Sequence, residues 1–246
     1  AEPDCLVLVD QEGGRVQRLR RPHWTALPAA ARYGKAYCEA PERALQMLAQ
    51  VSSLCAAELR DVGINTNCAP CLDLPINGAH DVISDRAYGR SPSEIARNGQ
   101  TVAESFMSAG VLPVIKHVPG HGRAMVDSHK QLPVVHTKWS DLNETDIEPF
   151  RLLNHLPAAM TAHVVYSDID PEAPATTSKT VIANIIRDEI GFDGLLMSDD
   201  LSMSALTGTI SERAAAVRGA GCDLVLNCNG RLEVMRAAAD QAGDLS

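Results

Sequence analysis

The sequence predicts an α/β fold, a TIM-type (β/α)8 barrel, on three observations. Short apolar runs rich in β-branched residues alternate with longer amphipathic segments, the rhythm of parallel strands joined by helices. Each run ends in a residue able to do chemistry: Asp10, Asp73, Lys116 with His117, His163, Asp199 with Asp200, and Asn227. A barrel gathers residues from many strand ends at one mouth, whereas an open sheet uses mainly its switch-point crevice. The nucleotide-binding forms of the open sheet lack their main signature here, because neither GxGxxG nor GxxxxGK(S/T) occurs.

In chain order the expected strands are CLVLVD (5–10), GINTNCAP (63–70), VLPVIKH (111–117), PAAMTAH (157–163), GLLMSD (194–199) and CDLVLNC (222–228). The helix PERALQMLAQVSSLCAAELRDVG starts on a proline suited to the first turn and stops at Gly63. SPSEIARNGQTVAESFMSAG carries a capping box, Ser91 with Glu94, and ends at Gly110. SDLNETDIEPFRLLN, SKTVIANIIRDEIG, SERAAAVRGAG and RLEVMRAAADQAG complete the helices, while 11–40 and 118–139 read as long loops. The six units, the first starting near residue 5, form one domain over 1–246. Against an eight-unit barrel, the expectation is that the first two βα units are missing from this sequence.

At 246 residues the chain can bury a sizeable core. A net charge of −9, with basic residues scattered apart from Arg15, Arg18, Arg20 and Arg21, argues against a nucleic-acid partner. No apolar run reaches the roughly 20 residues needed to span a bilayer. The N-terminal AEPDCLVLVD has no basic leader, so the expectation is a cytoplasmic monomer with no membrane association. Seven cysteines in a chain of this length read as reduced, buried thiols. Cys68 and Cys71 have the spacing of a redox pair, but a strand-like run precedes them where such a pair needs a helix N-terminus.

VIKHVPGHGRAMVDSHK concentrates the chemistry, with three histidines, His117, His121 and His129, beside Lys116 and Asp127. A metal reading needs His117 and His121 on one helical face, and Pro119 with Gly120 between them opposes a helix. A Schiff-base reading needs Lys116 depressed in pKa by burial or a neighbouring cation. A third reading pairs Asp127 with His129 across an extended loop, the carboxylate orienting an imidazole that gives and takes a proton near neutral pH.

Asp199 and Asp200 offer paired carboxylates at a strand end, where catalysis and helix capping are equally good explanations. In DQEGGRVQR, Asp10 is followed by two glycines that permit a tight turn and then by Arg15 and Arg18. Arg18 is either a ligand for substrate or a solvated charge. Arg86, in ISDRAYG, is either functional or paired with Asp81 or Asp85.

Taken together, DQEGGRVQR, SDRAYG, KHVPGHG, DSH, MTAH and SDDLSM resemble, in order and spacing, the family 3 glycoside hydrolases, and more narrowly the bacterial NagZ-type β-N-acetylglucosaminidases. The resemblance runs from Val9 to about Asn229. It implies a barrel enzyme, without cofactor or metal, that removes a terminal β-linked GlcNAc with retention of configuration. Asp199 then matches the nucleophile, His129 the acid/base and Asp127 its partner. Asp10, Arg18, Arg86, Lys116 and His117 match positions that bind the sugar. Arg15 goes to loop structure, and His121 and His163 to supporting or structural roles. The resemblance further implies a saccharide substrate, GlcNAc-1,6-anhydromuramyl peptides from peptidoglycan recycling in the cytoplasm, a process that in several bacteria feeds β-lactamase induction. Family chains usually have two further strands before DQEGG and continue past Asn229. A Schiff-base lyase using Lys116, a metal hydrolase using the histidines and a catalytically silent sugar-binding relative are the alternatives.

Overall fold

The computed structural model describes residues 5–243. Its strands are β1 (Leu8–Val9), β2 (Gln11–Gly13), β3 (Val16–Gln17), β4 (Thr66–Asn67), β5 (Leu112–Pro113), β6 (Ile115–Val118), β7 (Val134–Val135), β8 (Ala158–Thr161), β9 (Val165–Tyr166), β10 (Leu195–Asp200) and β11 (Leu224–Leu226). The α-helices are α1 (Ala30–Glu39), α2 (Pro41–Asp61), α3 (Pro92–Ser108), α4 (Trp139–Glu144), α5 (Glu148–Leu152), α6 (Ile210–Ala220) and α7 (Leu232–Ala242). A π-helical segment, Val181–Glu189, lies between β9 and β10.

Parallel pairing runs β1–β4–β5 in one sheet and β6–β8–β10–β11 in the other. The chain from Leu112 to Val118 joins them: Val114 N–H donates to the Asn67 and Ala69 carbonyls, Lys116 N–H to that of Pro70, and Cys71 bridges Lys116. All six expected strands are therefore present and stand beside their sequence neighbours in one parallel arc. The barrel is not closed, because among the described residues β1 and β11 do not pair. Six strands make too short a circuit to enclose a barrel's packed interior, which about eight do.

The core has the layers of a barrel wall. Inside the arc, Cys68, Val114, Ala158, Met160 and Met197 are buried together, with half-buried Leu8, Leu112, Leu195, Leu224 and Leu226 around them. Outside, one cluster packs α1, α2 and α3 on the first strands, through Leu48, Leu59, Val102 and Phe106. Another packs the later helices on β6, β8 and β10, through Ile115, Phe150, Ile182, Ile186 and Leu196.

Two helix expectations need correction. Residues 30–39 are α1, where the sequence reads as loop; Gly34 and a thin apolar stripe hide it. Gly34 is required there, since a Cβ would stand 2.6 Å from the Tyr88 carbonyl oxygen. The helix expected over SDLNETDIEPFRLLN is two short ones, α4 and α5, broken around buried Asp146, which accepts from Arg123 Nε at 2.7 Å and from the Thr145 hydroxyl at 2.8 Å. The capping box of Ser91 and Glu94 forms as read, and Thr209 with Glu212 makes a second one on α6. None of the described helices is long and apolar enough to cross a membrane.

Candidate active site

Strand ends and the loops after them converge at one rim of the arc. At β1, the buried Asn67 side chain holds both the N–H and the carbonyl of Gln11, at 3.0 Å each. This fixes the chain between Asp10 and Glu12. Gly13 and Gly14, both at positive φ, then turn β2 back into β3 and return Arg18 to Asp10.

From Arg18 a continuous line of charges crosses the rim. Arg18 Nη2 lies 3.0 Å from Asp10 Oδ2, and Lys116 Nζ lies 2.8 Å from Asp10 Oδ1 and 2.7 Å from Glu12 Oε1. Arg86 grips Glu12 with two N–H groups at 2.9 and 2.8 Å, and its Nη2 is 3.4 Å from His117 Nε2. His117 Nδ1 meets Asp73 Oδ2 at 2.6 Å, so the carboxylate fixes the imidazole with its Nδ1 proton toward Asp73. The Lys116–His117 peptide is cis.

The structure thus brings Asp10, Arg18, Arg86, Lys116 and His117 together and adds two residues the site reading omits. Glu12 links Lys116 to Arg86, and Asp73 orients His117. The pairing of Arg86 with Asp81 or Asp85 is corrected: Arg15 bonds Asp85 at 2.7 Å and the carbonyls of Asp81, Val82 and Ile83, leaving Arg86 to Glu12.

The electrostatics follow from these pairs. Lys116 strongly lowers the Asp10 pKa, and despite burial, with help from Arg18, the carboxyl stays well below its usual range. Burial pushes Glu12 up, but Lys116 and Arg86 outweigh it and hold its pKa at about 2. Burial would lower the Lys116 pKa, yet Asp10 and Glu12 raise it well above its ordinary value. A Schiff-base lysine needs the opposite shift, so Lys116 is held as a cation.

At β10 the two aspartates separate. Asp200 accepts from the N–H groups of Ser202 and Cys228, both at 3.0 Å, and from the Ser202 hydroxyl. It is the cap of the following turn. Asp199 has one hydrogen bond, from the Asp200 N–H at 2.8 Å. Burial raises its pKa, but His163, His117, that N–H and Lys116 together hold it below the usual range. His163 is buried; its Nε2 lies 3.1 Å from the Asp200 carbonyl oxygen and its Nδ1 2.8 Å from Thr176 Oγ1. It props the end of β10.

The pair on the loop also forms. Asp127 Oδ1 is 2.9 Å from His129 Nδ1 and accepts the His129 N–H at 3.0 Å. The backbone there is a turn rather than the extended loop expected, since the N–H groups of Lys130 and Gln131 both donate to the Asp127 carbonyl. His129 is largely exposed, its Nε2 edge left open by the contact of Nδ1 with Asp127.

The three histidines do not form one metal cluster. Among the described residues, the group whose ligand atoms lie within 4.8 Å of one another is Cys71, Asp73 and His117, which omits His121 and His129. Its spacings are those of hydrogen bonds, with Cys71 Sγ 3.2 Å from the same Asp73 oxygen that binds His117. All seven cysteines are free, and burial raises the pKa of Cys68 and Cys71, so CAPC is a pair of inert thiols. A groove of about 670 Å³ beside α1, lined by Lys35, Cys38, His80 and Arg90, includes none of the residues of the rim described above.

The rim of this parallel α/β arc carries a lightly bonded carboxylate, a carboxylate–imidazole pair and a line of charged hydrogen-bonding groups. The chain belongs to the glycosyl hydrolase family 3 N-terminal domain family, whose model matches residues 4–246. It is 44% identical over 231 residues to a beta-hexosaminidase of Thioalkalivibrio sulfidiphilus, covering 92% of this chain and 65% of the relative. It is similar, at 35% identity and a TM-score of 0.89, to NagZ from Neisseria gonorrhoeae in complex with N-trifluoroacetyl-D-glucosamine, covering 100% of this chain and 70% of that one. A family 3 beta-N-acetylglucosaminidase from Paenibacillus sp. aligns with a TM-score of 0.89 at 36% identity, over 96% of this chain and 44% of the other. The chain spans just under two thirds of the length of curated relatives such as the Thioalkalivibrio sulfidiphilus beta-hexosaminidase.

Proposed function

We propose that this chain is the catalytic domain of an exo-acting, retaining β-N-acetylglucosaminidase. The observation that carries the reading is the division of labour at β10: Asp200 is committed to the turn, while Asp199 stands ionised with one backbone partner. The Asp127–His129 pair, on a turn hydrogen-bonded to Ser204 and Ala205 in the segment after Asp199, supplies the proton chemistry.

In the first step the Asp199 carboxylate attacks the anomeric carbon while His129 protonates the departing glycosidic oxygen. In the second, His129 takes a proton from water, which releases the sugar from Asp199 with its configuration retained. Retaining enzymes usually place two carboxyl groups about 5 to 5.5 Å apart. Here an imidazole replaces the second carboxyl, which avoids the repulsion of two carboxylates at one site. Asp10, Arg18, Arg86, Lys116 and His117 hold the sugar hydroxyls by charge-assisted hydrogen bonds. Similarity to a family 3 beta-N-acetylglucosaminidase and to a NagZ bound to N-trifluoroacetyl-D-glucosamine supports GlcNAc as the sugar. Muropeptide fragments of peptidoglycan recycling, met in the cytoplasm by a monomer, complete the proposal.

The test is nitrophenol release from an aryl β-GlcNAc glycoside, lost in Asp199→Ala and strongly reduced in His129→Ala. GlcNAc binding without turnover indicates the silent relative instead. Because a histidine acid/base repels an anionic acceptor less than a carboxylate does, product analysis in phosphate buffer decides between hydrolysis and phosphorolysis.

A further inference from the structure

Ser128 stands between the two members of the acid/base pair and faces the other way. It is buried, 2% exposed, while His129 is exposed and Asp127 half-exposed. Its Oγ shares a 2.9 Å hydrogen bond with His121 Nε2, and His121 is itself 3% exposed. The His121 N–H donates to Asp73 Oδ1 at 2.7 Å, and Asp73 Oδ2 holds His117. One buried path therefore runs from the sugar-binding edge to the middle of the Asp127–Ser128–His129 turn. The same turn is tied to the segment after Asp199, where Ala205 N–H donates to the Ser128 carbonyl at 3.2 Å and Ser204 N–H to that of His129 at 3.4 Å.

We propose that Ser128, held by the His121 imidazole, is the positioning residue that places the Asp127–His129 pair against Asp199. The proposal rests on the reading of His129 as acid/base. The turn's other handles are weaker: Met125, Lys130 and Gln131 are exposed, and the two backbone bonds to residues 204 and 205 are long. His121 is suited to the task because burial, reinforced by His117, lowers its pKa to about 4, so it remains a neutral hydrogen-bonding partner. Its Nδ1 has no partner among the described residues. No substrate atom needs to touch either side chain; their effect reaches the reaction through His129. A displacement on the order of 1 Å at a proton-transfer group is enough to lose about 100-fold in rate.

The experiment compares wild type, Ser128→Ala and His121→Gln on aryl β-GlcNAc glycosides graded by leaving-group acidity, with thermal melts to establish folding. Glutamine retains an amide able to reach Ser128 and serves as the conservative variant. A displaced acid penalises poor leaving groups, which need protonation, more than activated ones. The expected result for Ser128→Ala is kcat/KM within about 3-fold of wild type on the dinitrophenyl glycoside and roughly 10- to 100-fold lower on the phenyl glycoside. On the activated substrate kcat falls, because attack of water on the intermediate still needs the base, and azide, a nucleophile that needs none, restores it with formation of the glycosyl azide. His121→Gln lies between the two. An equal loss on every substrate, or an unchanged dependence on the leaving group, overturns the positioning role. Wild type with no activity on any of these glycosides overturns the glycosidase reading itself, before either variant is compared.

Discussion

Asp199 and Asp200 are consecutive, yet only Asp200 turns its carboxylate onto the N–H groups of Ser202 and Cys228, leaving Asp199 with the single N–H of its neighbour. The two substitutions should therefore fail differently. Asp199→Asn lowers turnover of an aryl β-GlcNAc glycoside by on the order of 10⁴-fold with little change in melting. Asp200→Asn lowers stability by about 1 kcal/mol through the weakened cap and leaves most of the activity. Paired melts and initial rates check this.

Arg18 discriminates a sugar ligand from a solvated charge. Its side chain is 60% exposed and, among the described residues, pairs with Asp10, so Arg18→Ala changes stability by less than about 1 kcal/mol. If it binds substrate, KM rises roughly 10-fold, the equivalent of one charged hydrogen bond. Steady-state kinetics beside a denaturant titration give both numbers.

Glu12 is expected to matter for folding first. Its removal leaves Lys116 with Asp10 alone and Arg86 without a carboxylate, all at a buried junction. Breaking a buried pair on one side costs about 3 kcal/mol or more. Glu12→Ala should lower the unfolding free energy by that amount, read as a lower urea midpoint at unchanged slope.

Acid stability carries a histidine signature. His121 has a folded pKa of about 4 against an ordinary value of 6.5, because burial, with His117 close by, disfavours its charge. Between these values the unfolded chain binds the proton and the folded chain does not. Its contribution is thus complete above pH 6.5, falls as pH drops toward 4, and amounts to about 3 kcal/mol. His163, also lowered by burial, adds in the same direction. Glu12 acts lower, its stabilisation being lost as pH falls from 4.5 toward 2. Unfolding free energies measured between pH 4 and 7 should fall less steeply in His121→Gln than in wild type.

Much of this was legible in the residues because strands end where their chemistry begins. Asp10, Lys116, His117 and Asp199 are each the last or next-to-last residue of an apolar run, and the rim collects them. Glu12 does carry a signal: it lies two residues beyond Asp10, on the same side of an extended chain, where one lysine can meet both. Asp73 was visible as a strand end, but its role depends on His117 lying opposite, which is a tertiary fact. Ser128 gave no signal, since a serine between two functional residues looks like a spacer until its burial is known. The helix α1 was hidden by Gly34, whose place is set by the Tyr88 carbonyl rather than by helix propensity.

The central claim is that Asp199 forms a bond to the sugar. Its most direct test is inactivation with a 5-fluoro glycosyl fluoride of GlcNAc, which slows release of the intermediate, followed by peptide mapping by mass spectrometry. The account predicts one glycosyl group per chain, carried on Asp199 and lost again on incubation with an acceptor. A label on Asp200, Lys116 or any other side chain, or turnover that yields the inverted anomer, would contradict it.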